Sequence, residues 1–213
     1  MTKSAIAAPV VPRLWPGERV VILGGGSSLT PADVDACRGR ARVIAIKEAH
    51  LLAPWADVLY AADAKWWRYF EGAPAFEGLK YSIEQDPEQP PTDWSQWPSV
   101  QVLRNTGTDG LELDPSGLRT GFNSGYQAVN LAVHLAGATR VVLLGFDMWR
   151  GPDGEQNWFG SHPLHTPSPY PIFLQAFRSL EQPLKDAGVE VLNASRFTVL
   201  SSFPRVPLEE ALA

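Results

Sequence analysis

Arg19-Val20-Val21-Ile22-Leu23-Gly24-Gly25-Gly26-Ser27-Ser28-Leu29-Thr30-Pro31 runs from an apolar segment through three glycines into a helix start. The short run rich in β-branched residues reads as a buried strand, and it stops where no side chain blocks a close approach. Thr30 is a suitable N-cap, Pro31 suits the first helical position, and Asp33 places an acid at the positive end of the helix. A bare turn whose backbone N–H groups lie beside a helix N-terminus is a place for a phosphate, so the turn 24–28 is read as a nucleotide site. Gly24-x-Gly26 lacks the third glycine of the dinucleotide fingerprint and the acid expected further on, and the lysine of a P-loop is missing. NAD binding and P-loop ATP hydrolysis are both demoted.

Outward from this corner, the 213 residues suit one α/β domain. Apolar residues at 45% and charged residues at 19% are ordinary for a globular chain, whereas 19 prolines and 8 tryptophans point to many loops folded over apolar or ligand-facing surfaces. The net charge of −5 argues against a broad surface that tracks nucleic-acid phosphates. Cys37 is the only cysteine, which rules out an intrachain disulfide. Residues 1–16 make a poor signal peptide and no apolar run is long enough to span a bilayer, so a cytoplasmic protein is expected.

Residues 1–18 read as an irregular lead-in, and 19–213 as a single Rossmann-like nucleotide-binding domain: a three-layer α/β fold with a mostly parallel sheet. A helix over 30–38 and a strand over 40–46 complete the first β-α-β unit, whose crossover is right-handed. A strand over 56–63 ends in Asp63, which either caps the following helix or faces a ligand. Residues 71–118 lose periodicity and read as an irregular, loop-rich insertion carrying two edge strands, 79–83 and 100–103. A helix begins near Asn123 or Ser124, with Gly125 in its first turn and Arg119 just before it, and stops at Gly137; His134 within it reads as an ordinary partly buried histidine. Residues 139–147 are apolar throughout and end in Asp147. A helix over 170–187, interrupted at Pro183, and a strand over 189–193 follow, then a turn with a short helix in 195–203 and a terminal helix in 207–213.

The glycine turn, Asp63, the Asn123-Ser124-Gly125 helix start, Asp147 and the loop containing His162 and His165 all fall at carboxyl ends of parallel strands, where open α/β sheets bind ligands. N–H donors for a phosphate, amides and hydroxyls for a base or ribose, and a histidine free to move a proton are the parts of group transfer from a nucleotide-linked donor. Gly160-Ser161-His162 does not make a triad, and there is no nucleophile elbow. His162, His165 and Asp147 lack the cysteines, HExxH motif or dense acids of a metal centre, so no metal site is assigned.

The motifs also resemble a family. Val21-Ile-Leu-Gly-Gly-Gly-Ser-Ser-Leu29 resembles the Gly-x-Gly-Pro-Ser-Leu turn of the Campylobacter-type bacterial sialyltransferases. Their relatives, the flagellin glycosyltransferases and the hydroxymethylpterin pyrophosphokinase-like proteins, share it. Phe122-Asn-Ser-Gly125 is similar to their Thr-Ser-Gly helix start, Leu144-Gly-Phe-Asp147 to their Ser-Gly-Ile-Asp strand end, Trp158-Phe-Gly-Ser-His162 to their Tyr-Ile-Gly-His, and Val199-Leu-Ser-Ser-Phe203 to their terminal Leu-Leu-Ala-Asn-Phe. The order agrees from end to end, and phage and prophage proteins of similar length share it. The resemblance implies a nucleotide-sugar donor of CMP type, nucleotide contacts from Gly24, Gly26, Ser27, Ser28, Asn123, Ser124 and Gly125, and His162 as general base with no obligatory cofactor. Lys47 stands where that family has an asparagine, and Trp149 where it has a tyrosine at the leaving phosphate; Arg150 or Lys47 then supplies that contact by charge. Acceptors in keeping with the resemblance are a modified base of phage DNA, a glycan or a small hydroxylated molecule. Two other readings stand beside it: a Mg²⁺-dependent pyrophosphokinase-like enzyme with Asp63 and Asp147 at the metal, and a non-catalytic nucleotide-binding phage protein.

Overall fold

Apolar runs in parallel register make the centre of the molecule. In the computed structural model, which describes residues 9–86, 91–137, 139–160, 163–164 and 167–213, β1 (Val20–Leu23) pairs in parallel with β2 (Arg42–Ile46) on one side and with β7 (Arg140–Leu144) on the other. The sheet continues through β3 (Val58–Tyr60), β4 (Leu79–Ile83), β5 (Val100–Asn105) and β6 (Gly117–Leu118) beyond β2, and through β8 (Glu190–Asn193) beyond β7. The order is β6-β5-β4-β3-β2-β1-β7-β8, parallel at every pairing.

Because side chains alternate along a strand, β1 sends Val20 and Ile22 to one face and Val21 and Leu23 to the other. The first face is covered by α4 (Ser124–Ala136), α5 (Tyr170–Arg178) and α6 (Glu181–Asp186), packed through residues such as Leu131, Phe177 and Leu184. The second is covered by α1 (Pro31–Cys37), α2 (Ala49–Leu52), α3 (Ala64–Tyr69) and α7 (Leu208–Ala211), through Val34, Ala49, Trp67 and Ala211. The result is the expected Rossmann-like layering of helices on both sides of a parallel sheet. Thr30 and Asp33 form the capping box of α1, with Pro31 in its first turn, as the sequence pattern implies.

The structure departs from the sequence reading at four points. Both runs read as edge strands lie inside the sheet: β4 is paired with β3 and β5, and β5 with β4 and β6. The segment 71–118 therefore extends the sheet even though much of it is loop. Lys80 disguises β4 as an edge, yet its ammonium is buried and donates to the carbonyls of Ala73 (2.8 Å) and Gly72 (3.2 Å). Second, α2 has four residues, too few to leave a periodic signal. Third, the helical stretch after Tyr170 breaks at Ser179–Leu180, one turn before Pro183. Continuing the helix would need an N–H from Pro183 to the Ser179 carbonyl, so the break falls four residues upstream and Pro183 sits in the first turn of α6, where no N–H is required. Fourth, 195–203 is a run of bends with no helix.

His134 lies in α4 at 6% exposure, its Nε2 donating to Gly117 O at 2.9 Å. Burial lowers its pKa below the ordinary 6.5, against the opposing pull of the Gly117 carbonyl, Glu112 and Asp114. The His50 ring, held against Trp66 and Phe70, is lowered by burial in the same direction. A lowered folded-state pKa means that the unfolded chain takes up protons that the fold refuses. The contribution to stability is complete above about pH 6.5 and is lost as the pH falls below it. Thermal melts between pH 5 and 8 should show Tm falling on the acid side, with a shallower fall for His134→Gln.

Candidate functional site

The chain moves outward from β1 in one direction through β2 to β6, then returns to add β7 and β8 on the other side. Loops leaving the carboxyl ends of β1 and β7 diverge at this reversal, and the crevice between them is where open sheets hold ligands. A cavity of about 410 Å³ lies there.

Its floor is the joint between the two strand ends. Gly24 N–H donates to Leu144 O (2.7 Å) and Gly26 N–H to Gly145 O (2.8 Å), which carries the β1–β7 contact past the end of the sheet. A Cβ at Gly24 or at Gly26 would stand 2.6 Å from Gly145 O, and one at Gly26 would also strike the Asp147 carboxylate. The two glycines are thus required by the approach of one backbone to another. Gly25 differs: its Cβ position meets Asn157 Oδ1 at 3.3 Å and Phe159 at 3.7 Å, in the loop that roofs the cavity. Trp158 N–H donates to Gly25 O (3.2 Å) and ties that loop down.

Asp147 closes the joint. At 1% exposure it accepts from Ser28 N–H (2.8 Å), Ser28 Oγ (2.6 Å) and Ser27 Oγ (3.4 Å). Burial raises its carboxyl above the usual range, and the three donors offset only part of that rise. Ser27 and Ser28 therefore stand behind Asp147 and do not line the cavity.

These bonds alter how an anion can be held. The N–H groups of Gly24, Gly26 and Ser28, expected to face a phosphate, are engaged by the chain itself. At the start of α4, Asn123 Oδ1 accepts from Gly125 N–H (2.7 Å) and Tyr126 N–H (3.2 Å), so the cap also uses donors expected to be open. Among the described residues the cations on the wall are Lys47, just past the end of β2, and Lys65 in the first turn of α3. Lys47 pairs with Asp63, whose backbone occupies the N-cap position of α3 while its side chain makes no cap bond. Burial would raise the Asp63 carboxyl, but Lys47, with Lys65 behind it, holds it below the usual range.

Among the described residues, three of the five non-glycine residues with left-handed backbone line this cavity: Lys47 (φ 50°), Phe122 (φ 56°) and Met148 (φ 54°). Each such residue costs about 1–3 kcal/mol and persists only where its surroundings impose it, a pattern associated with ligand sites.

Of the residues singled out in the sequence, Gly24, Gly25, Gly26, Lys47, Asp63, Asn123, Ser124, Gly125 and Asp147 come together around the cavity. Arg119 is paired with Glu112, Trp149 is 55% exposed, and Arg150 Nη1 donates to Gly154 O (3.0 Å); none of the three lines it. His162 and His165 lie outside the described residues. Sequence reasoning missed Gln127, Lys65, Gln156 and Tyr170, all on the wall. Gln127 could have been found as the residue one turn beyond Asn123 on the same helix face. Its Oε1 accepts from Tyr60 OH (2.9 Å) and its Nε2 donates to Thr120 O (2.8 Å). Tyr170 supplies a phenol where the motifs indicated none.

No family model matches the chain, and no curated protein matches it. Among solved structures it resembles the MAf glycosyltransferase from Magnetospirillum magneticum AMB-1, with a TM-score of 0.60 at 14% identity. The match covers 95% of this chain and 36% of that one, so the chain spans about a third of the neighbour's length. This is a likeness of fold.

Gly26→Ala should lower stability by about 1–3 kcal/mol, or about 2–4 °C of Tm for each kcal/mol in a chain of this size. Gly25→Ala should melt within about 0.5 kcal/mol of the parent. Paired melting curves check both.

Proposed function

We propose that the chain is a glycosyltransferase-like enzyme that takes its glycosyl group from a nucleotide-linked sugar, a CMP-type donor favoured, and transfers it to a hydroxyl acceptor. The observation that carries this reading is the cavity at the reversal of sheet order. One wall offers the bare backbone of Gly25, Ser124 at the positive end of the 13-residue α4, and the charges of Lys47 and Lys65. A volume of about 410 Å³ is of the size that holds a small organic ligand. The likeness in fold to a protein named as a glycosyltransferase supports the reading at the level of chain topology. The order of motifs shared with the sialyltransferase group supports a cytidine donor.

In this reading the acceptor hydroxyl gives its proton to His162 as its oxygen bonds to the anomeric carbon. The bond from that carbon to the donor phosphate breaks, and the electron pair leaves with the nucleotide. His162 lies in sequence between Phe159 and Leu164, both on the cavity wall, which supports its role as base. Lys65 is the better-placed cation for the departing phosphate, because the charge of Lys47 is already matched by Asp63. Tyr170 is a further donor on the same wall. An alcohol on a modified phage DNA base, a glycan or a small molecule would fit as acceptor.

The pyrophosphokinase-like alternative would use Asp63 and Asp147 as Mg²⁺ ligands. Asp63 is paired with Lys47, and both oxygens of Asp147 accept from Ser28, which favours the metal-independent reading.

Calorimetric titration with CMP, UDP-sugars and ATP, with and without Mg²⁺, should give binding of CMP that EDTA leaves unchanged; binding of ATP only with Mg²⁺ would favour the alternative. With a donor and acceptor in hand, His162→Ala should lower turnover about 10²–10⁴-fold while leaving donor Kd near the parent value. Retention of full transfer by that variant would remove His162 from the chemistry.

A further inference from the structure

Phe122 combines two properties that normally exclude each other. Its backbone is left-handed (φ 56°), a conformation that bulky side chains avoid, and the residue is 59% exposed. The preceding Gly121 (φ 47°) has a packing reason for its conformation, since a Cβ there would overlap the Tyr126 ring. Phe122 has no such burial: it is an exposed residue on the cavity wall, two residues before Ser124.

We propose that Phe122 is the platform on which the base of the bound nucleotide stacks. This rests on the nucleotide reading above and adds the residue that grips the base. A flat aromatic face open to solvent is what a nucleobase recognises without regard to its hydrogen-bonding edge. The Cα atoms of Phe122 and Ser124 are within about 7 Å of each other, inside the reach of one nucleotide whose phosphate sits by Ser124 and Lys65. The two left-handed residues in succession turn the chain sharply into α4, and that turn sets the ring beside the helix start instead of in the core. The strain is thereby tied to the ligand and not to packing.

The test is a series at one position, read by calorimetric titration with CMP on the full chain. Phe122→Ala and Phe122→Leu should each raise the Kd for CMP about tenfold, while Phe122→Tyr and Phe122→Trp should stay within about threefold of the parent. Leucine is the deciding variant, since it keeps apolar bulk and loses the flat face. Phe122→Gly should melt at or above the parent temperature, because it removes the left-handed penalty without emptying a packed site. Equal CMP affinity for the parent and for Phe122→Ala or Phe122→Leu overturns the proposal and leaves the nucleotide reading standing. So does a change confined to the acceptor KM, and so does a large loss of Tm in Phe122→Gly. A parent chain that binds no nucleotide overturns both.

Discussion

The Asp147 carboxylate holds the two halves of the sheet's working edge together. β1 and β7 are neighbours in space and distant in sequence, and beyond their last paired residues main-chain bonds and this one buried acid join their ends. Taking a carboxylate out of water is costly unless donors surround it. Ser27 and Ser28 are those donors, and they follow the glycine corner directly. The corner needs glycine because the acid and the Gly145 carbonyl occupy the space that side chains would fill. Glycines, serines and acid form one device with a structural duty.

That duty shapes the electrostatics of the site. A glycine-rich turn before a helix suggests a nest of open N–H groups, yet here the N–H groups of Gly24, Gly26 and Ser28 point into the protein, and Asn123 closes the first turn of α4 on itself. In the proposed reading, the described residues leave for an anion the field at the α4 entrance, the Gly25 backbone, the Ser124 hydroxyl, Tyr170 and two lysines, one of them already matched by Asp63. A site built this way depends on side chains from α3 and β2 more than on the backbone of the corner. Substitution can retune such a site without disturbing the joint below it.

Some of this was legible in the residues and some was not. The runs at 19–23 and 139–147 were readable because strands buried on both faces need an unbroken apolar sequence, and the Thr30 cap and the helix start near Asn123 or Ser124 were readable because such signals are local. β4 was misread because Lys80 is a charge in an apolar run; only the fold reveals that its ammonium is buried on the carbonyls of Gly72 and Ala73. β5 was misread through Gln101 and cut short at Arg104, whose guanidinium is engaged with Asp114 and Ser116. Tyr170 and Lys65 join the site by tertiary packing of helices far apart in the chain, and no local pattern records that. The direction in which N–H groups point is likewise settled by what packs behind the turn.

The sheet order also constrains how the molecule is made. Val20 waits for Val141 as its partner, about 120 positions later, which at ordinary synthesis rates of about 5–20 residues per second is about 6–24 s. Throughout that interval the most hydrophobic strand of the molecule has one flank unzipped and a row of main-chain groups open to any passing chain. A ribosome-bound fragment ending before β7 is therefore the sticky species of this protein. The same delay postpones the Asp147 joint, so the cleft above it takes shape only once the chain has been made past β7.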